Sequence, residues 1–280
     1  MGYGKTIELF FVDGTADGIV TAELSNWNAK AIKIPRTDIK DCKRDDIKGV
    51  GVYFLFCVDE EDNRSVYIGE AEDVLKRLKQ HITDYNNDKE KYYWTSAVAF
   101  VGSGLDKALI RYIENGLVER SRIAGKADVL TRATFTNAVL KESQIATCEE
   151  FMDNVRVLIS ALGYNVLTPA PTKAEHTKDY LYLNVGEVSA KGFVSSSGFT
   201  VLKGSKTSQN VAPQFEDKLK RYGDIRKKLE EKGIVENHLF VNDYEFTSPT
   251  QAASVILGYC VSGNAAWKNK KGINLKEMIL

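Results

Sequence analysis

Gly51-Val-Tyr-Phe-Leu-Phe-Cys-Val58 and Ser65-Val-Tyr-Ile-Gly69, joined by the polar turn Asp59 to Arg64, decide the fold. Two apolar runs rich in β-branched and aromatic residues, on either side of a short charged turn, predict an antiparallel hairpin. Working outward, a helix is expected to open near Glu72-Asp73, acids suited to a first turn, and to run through Val74 to Ile82. Trp94 to Val101 reads as a third strand. Leu105, Leu109, Tyr112, Ile113 and Leu117 then recur at helical spacing, and so do Phe151, Val155, Leu158, Ile159 and Leu162 before Gly163. Upstream of the hairpin, Thr6–Val12, Ile19–Glu23 and Ala31–Ile34 predict three short strands, the last ended by Pro35.

Thr168-Pro-Ala-Pro-Thr-Lys173 is the best linker, because two prolines interrupt helix and ladder alike. Beyond it come expected strands near Tyr180–Val185, Lys191–Val194 and Phe199–Leu202 and a charged helix around Phe215–Lys232. Ser248-Pro249 reads as the start of a helix over Thr250 to Leu257. The fold class is α+β, in two domains. The expected division is an N-terminal β extension over 1–48, a compact domain with a trailing helix over 49–167, a linker over 168–184 and a C-terminal domain over 185–280.

Composition narrows the functional classes. Lys+Arg and Asp+Glu both number 38 in 280 residues, which argues against a basic nucleic-acid coat, an acidic tail or a polybasic membrane anchor. A local cationic groove is still compatible with that balance, since binding follows the local field. No apolar run approaches the roughly 20 residues of a membrane span, and no signal-peptide core is evident, so a soluble cytoplasmic chain is expected. Cys42, Cys57, Cys148 and Cys260 are scattered without ligand spacing, which predicts reduced thiols rather than a zinc site or disulfides. Gly4-Lys5-Thr6 lacks the glycine five positions earlier that a phosphate loop needs.

The hairpin carries Gly51-Val52-Tyr53 on one arm and Tyr67-Ile68-Gly69 on the other. Arg77 and His81 are four apart in the next helix, hence on one face, and Glu114 lies in the helix after as Ile113-Glu114-Asn115-Gly116-Leu117-Val118. Two tyrosines, a guanidinium, an imidazole and a carboxylate suit phosphodiester chemistry. In these residues and their order the chain resembles the GIY-YIG nuclease family over roughly Gly49 to Ala138. Val52 stands where that signature has isoleucine, a conservative change in a strand. The family is built on a small three-stranded sheet flanked by helices.

The resemblance implies DNA hydrolysis with one divalent cation, Mg²⁺ or Mn²⁺, held by Glu114 and stabilising the leaving oxygen. Arg77 would brace the scissile phosphate. Tyr53 would take the proton of the attacking water, which requires a hydroxyl pKa well below its usual value of about 10. Tyr67 would position water or phosphate, and the two tyrosine roles are exchangeable. His81 is similar to the histidine of the restriction-enzyme and homing-endonuclease branches. Glu119 borders the same apolar stripe as Glu114, and only the family pattern separates them. A downstream asparagine is implied as well, with Asn137 as the positional match and Asn115 as the other candidate. Cutting both strands would imply a homodimer.

The second region is similar to an uncharacterised domain often appended to GIY-YIG nucleases, through Gly198-Phe-Thr-Val-Leu-Lys-Gly-Ser205, Phe246-Thr-Ser-Pro-Thr-Gln-Ala-Ala253 and Ser262-Gly-Asn-Ala-Ala-Trp-Lys268. That domain is proposed to recognise modified DNA. Lys220, Arg221, Lys227, Lys228, Trp267 and Lys268 are the candidate nucleic-acid contacts, an aromatic beside lysines being suited to stacking and phosphate binding. A rival from another class is a non-catalytic, regulatory nucleic-acid-binding protein on the same scaffold.

Overall fold

The computed structural model describes residues 4–58, 64–131, 139–168, 180–195, 198–213 and 220–279. It divides into two compact units, Met1–Pro169 and Ala170–Leu280.

The first unit is built on seven strands: β1 (Ile7–Phe11), β2 (Val20–Leu24), β3 (Ala29–Pro35), β4 (Gly51–Val58), β5 (Arg64–Ala71), β6 (Trp94–Gly102) and β7 (Asp128–Val129). Their order across the sheet is β1-β2-β3-β6-β4-β5-β7, antiparallel throughout except for the short parallel pair β5–β7. The signature hairpin pairs Gly51 with Ala71 and Val58 with Arg64, which sets Tyr53 opposite Gly69 and Leu55 opposite Tyr67. β3 pairs along β6 from Ala29↔Gly102 to Pro35↔Ser96, so the N-terminal strands extend the same sheet.

Helices cover both faces. α1 (Arg36–Ile39) and α2 (Val74–Asn86) pack on one face over Tyr53, Leu55, Cys57, Ala97 and Ala99. α3 (Lys107–Ala124) and α4 (Glu142–Ala161) pack on the other over Val52, Phe54, Phe56, Val66, Ile68 and Phe100. This is why β4 reads as an unbroken apolar run: every side chain from Val52 to Cys57 is buried, three on each face. α2 begins one residue later than expected, because Asp73 is its cap and accepts from the Lys76 N–H at 2.9 Å. Asp106 caps α3 in the same way, and Gly125 ends it with φ +64°. α4 starts at Glu142, a full two turns ahead of its apolar stripe.

Gly51 needs its missing side chain, since a Cβ there would run into the Phe100 carbonyl of β6. The four cysteines are free. Burial pushes the Cys57 thiol up to about 12 and that of Cys148 to about 11, so neither is a ready nucleophile.

The second unit has a four-stranded antiparallel sheet from β8 (Leu181–Val185), β9 (Val188–Ser195), β10 (Gly198–Val201) and β13 (Tyr244–Phe246), in the order β13-β10-β9-β8. A two-stranded ribbon, β11 (Val235–Glu236) and β12 (Leu239–Phe240), accompanies it. Helices α5 (Lys220–Glu231), α6 (Pro249–Leu257), α7 (Gly263–Ala266) and α8 (Leu275–Ile279) complete the unit. Ser248 caps α6, Pro249 fills its first position, and all residues from Gln251 to Leu257 are buried. The residues of the 168–184 linker from 169 to 179, and 215–219 of the charged helix, lie outside the described residues. No helix among the described residues is long and apolar enough to cross a membrane.

Candidate active site

The register of the hairpin and the turn of α2 bring four of the expected side chains together. Tyr53 and Tyr67 point to the α2 face from diagonal positions on neighbouring strands, with ring centroids 6.2 Å apart. The rings meet over Gly69: a Cβ there would stand 2.5 Å from the Tyr53 hydroxyl and 2.8 Å from Tyr67 Cε1. In α2, Val74, Leu75, Leu78 and His81 form the buried stripe, and Arg77 flanks it. His81 Nε2 lies 2.8 Å from the Tyr53 hydroxyl, and its ring meets both tyrosines edge-on. Arg77 lies close enough to lower the pKa of both hydroxyls, and the two tyrosines act on each other.

Exposure divides this group. Tyr53 is 1% exposed and His81 0%, whereas Tyr67 and Arg77 reach the surface in part. Tyr53 and His81 are therefore enclosed, and Tyr67 and Arg77 are the members of the group that meet solvent. The Tyr53 hydroxyl does not meet the requirement of a lowered pKa. Burial, and next the neighbouring Tyr67, raise it well above the ordinary value against the pull of Arg77. Burial raises Tyr67 too, with Arg77 opposing and Glu114 adding.

His81 is lowered to about 3, by burial first and then by Arg77 and Arg36, so its ring is neutral near pH 7. Its other nitrogen, Nδ1, bonds the Glu90 carboxylate.

Glu114 comes from α3, across the sheet, and arrives at the outer edge of β5. There the Glu70 main chain favours its charged form. Glu114 is 5% exposed and Glu119 is exposed, so burial separates the two acids where helical spacing does not. Burial, with Glu70 nearby, raises Glu114 to about 7, against Arg111. Its Oε2 is buried with no hydrogen-bond partner. An orphaned carboxylate oxygen fits a hard divalent cation, which would restore the charge that burial disfavours. Among the described residues, no three His, Cys, Asp or Glu side chains gather as a ligand set. Glu70, whose Oε1 is 3.7 Å from Arg111 Nε, is a further acid beside Glu114. Strand alternation after Tyr67-Ile68-Gly69 already points it at α3, a signal that was readable. Asn137 lies outside the described residues, and Asn115 is half-buried in α3.

In the second unit the contacts expected for nucleic acid are dispersed. Arg221 and Lys227 are exposed and Lys228 half-buried on α5, interleaved with Asp224 and Glu231, and the Lys220 side chain is outside the described residues. Lys268 is exposed, with its main chain paired to Tyr182. Trp267 departs from the expectation. It is 0% exposed, packs 4.4 Å from the Phe199 ring, and donates its indole N–H to the Pro249 carbonyl at 3.0 Å. It belongs to the core and offers no face to a base.

Residues 49–122 match the model of the GIY-YIG catalytic domain, and residues 180–279 match that of the Domain of unknown function (DUF4357). No curated protein and no solved structure matches the chain. The first match supports nuclease-type function in general. With the signature tyrosines paired over Gly69 and a buried acid at the hairpin's edge, the chain carries a GIY-YIG catalytic domain followed by the C-terminal domain of unknown function.

Proposed function

We propose that the protein is a divalent-cation-dependent DNA endonuclease whose proton acceptor is reached through the paired tyrosines. The observation that carries this reading is the run of polar groups inward from the half-exposed Tyr67 to the buried Tyr53 and the neutral His81. Arg77 would hold the scissile phosphate where the group meets solvent and favour negative charge on either tyrosine oxygen. Tyr67 would accept a proton from the attacking water while passing its own to Tyr53, and Tyr53 would pass its own to His81 Nε2. In this chain neither tyrosine needs to persist as an anion, which their raised pKa values oppose. Glu114 would hold the Mg²⁺ or Mn²⁺, with Glu70 close by, and the ion would supply charge stabilisation at the leaving oxygen. Asn137 is assigned to the site on the family pattern alone. Cutting both strands would require two such sites, hence a homodimer.

The test is incubation of the full chain with plasmid, modified phage DNA and RNA, with Mg²⁺, Mn²⁺ or chelator. Cation-dependent nicking of DNA is expected, reduced about 10²-fold or more in Tyr67→Phe. Binding without cutting under every condition would favour the regulatory nucleic-acid-binding protein instead.

The second unit is proposed as a DNA anchor through Lys220, Arg221, Lys227, Lys228 and Lys268, without Trp267, which is buried. A chain cut within Thr168–Lys173 should bind duplex more weakly and with a shallower slope of log affinity on log salt. Every phosphate that is no longer neutralised takes about 0.9 off that slope. Reversing Lys220, Arg221, Lys227 and Lys228 to Glu in the full chain should do the same. Titration of labelled duplex at several salt concentrations measures both, and equal slopes would assign the unit to protein interaction.

A further inference from the structure

Between α2 and β6 the chain reverses and carries Glu90 back behind His81. The N–H groups of Lys89 (2.8 Å) and Glu90 (3.3 Å) both donate to the Asp84 carbonyl, and Asp88 takes a φ of 58° within the reversal. Glu90 thus meets the imidazole on the nitrogen opposite to the one that meets Tyr53. The His81 side chain is 1% exposed and that of Glu90 13%, so the contact between them is largely shielded from solvent. A neutral imidazole has one N–H, and a carboxylate only accepts. With Glu90 ionised, the proton must sit on Nδ1, since two facing lone pairs in a dry interior would be costly. Nε2 is then an acceptor aimed at the Tyr53 O–H.

The Glu90 carboxyl lies above its ordinary value, burial outweighing the cations around it. Burial raises its carboxyl and so does Asp84, while Arg77, Arg36 and the Tyr92 hydroxyl pull the other way. Arg36 is itself buried, with its guanidinium carbon 4.9, 4.7 and 4.7 Å from the ring centroids of Tyr85, Tyr93 and Trp94. Three ring faces compensate part of its lost hydration and keep a permanent cation in the pocket behind Glu90. The charged and titratable groups around His81 are therefore Arg77 on its own helix, Tyr53 from β4, Tyr67 from β5, Glu90 and Tyr92 from the reversal, and Arg36 from α1.

We propose that Glu90 is a positioning residue of the cleavage site, fixing His81 with its proton on Nδ1 and stabilising the imidazolium that forms when Nε2 takes the Tyr53 proton. The proposal rests on the nuclease reading above and adds to it the group that sets the acceptor. The step balances. The Tyr53 O–H bond breaks as an N–H bond forms at Nε2, Tyr53 regains a proton from Tyr67, and Tyr67 from the attacking water. One positive charge then lies against the Glu90 carboxylate, whose contact with Nδ1 opposes the lowering that burial, Arg77 and Arg36 impose on the ring. This short-lived imidazolium returns the proton outward by the same groups once product has left. The arrangement of an acid, an imidazole and a hydroxyl is the logic by which a buried carboxylate selects a histidine tautomer in nucleophilic sites, applied here to a tyrosine that relays.

Histidine ¹⁵N spectra of the full chain test this without substrate. The chain has 3 histidines, and loss of one signal in His81→Gln assigns the ring. At pH 7.5 Nδ1 should be protonated and Nε2 bare. Glu90→Gln, similar in shape but able to turn an amide N–H toward Nδ1, should move the proton to Nε2 or mix the two forms. Its cleavage rate should fall about 10²-fold at unchanged DNA affinity, and Glu90→Asp should recover part of it. A wild-type ring protonated on Nε2 overturns the proposal. So does a Glu90→Gln protein with unaltered tautomer, whatever its rate, because a merely structural loss would leave the ring as it was. A wild-type chain that cuts nothing overturns the nuclease reading and the catalytic half of the proposal, while the tautomer reports separately whether Glu90 sets the ring.

Discussion

Glu114→Gln is expected to abolish cation-dependent cleavage, by about 10³-fold or more, while making the protein harder to melt at pH 8. The carboxyl sits at about 7 in the fold, against an ordinary value of 4.5. Between those two values the unfolded chain has released the proton and the folded chain still binds it, so stability falls as pH rises and the penalty is complete above about 7. Its size is of the order of 2–3 kcal/mol, taking about 1.4 kcal/mol per pKa unit as the upper rate. The amide has no charge to bury, so the variant should escape the penalty and melt about 5 °C higher at pH 8. At pH 4, where wild-type Glu114 is protonated in both states, the two proteins should melt together. Added Mn²⁺ should stabilise wild type at pH 8 and leave the variant unmoved. Thermal melts with and without the ion, beside a plasmid assay, read all of this. A variant that still cuts and still responds to Mn²⁺ would transfer the metal to Glu70 or elsewhere.

Gly69→Ala should damage the same site from the opposite side. The new methyl would stand 2.5 Å from the Tyr53 hydroxyl and 2.6 Å from the ring carbon that bears it. Tyr53 is buried against His81 and cannot swing outward, so either the ring shifts off Nε2 or the hairpin opens. Overpacking of this kind costs about 1–3 kcal/mol, and an ångström of displacement in a proton relay is worth about 10² in rate. Cleavage should fall by about that factor, with DNA affinity little changed because Arg77 and the distant cations are untouched. Denaturant melts and single-turnover cleavage give the two numbers. An alanine protein with wild-type rate would mean that the Tyr53–His81 contact plays no part in catalysis.

The hairpin was legible because its information is local. Residues 52–57 alternate between two buried faces, and a run apolar on both sides can only be an interior strand. The position of His81 was legible for the same reason, four residues after Arg77 on one helical face. The pairing of β3 with β6 joins segments about sixty to seventy residues apart, and nothing within either strand names its partner. Glu90 was illegible on similar grounds, since it reaches His81 only through a reversal that depends on Asp84 and Asp88. Trp267 misled because an indole beside Lys268 reads as a surface pair. In a turn of four residues no period distinguishes inside from outside, and the packing against Phe199 comes from a strand far upstream. The sequence left the roles of the two tyrosines exchangeable, and only the packing of α2 over the hairpin decides which of them meets solvent.

The seam between β3 and β6 bears on the order in which this protein is made. Strands β1 to β3 leave the ribosome well before β6, so the first hairpins must wait with one long edge unsatisfied until Trp94–Gly102 arrives to close it. Until then Ala29–Pro35 is a strand template with no counterpart, the kind of surface that draws in a neighbouring nascent chain. A fragment begun at Gly49 would have the converse fault, with seven residues of β6 main chain bare on the side that β3 should occupy. The stretch that bears the family signature is thus not the stretch that folds by itself, and synthesis of a workable N-terminal piece has to include the strands that come first.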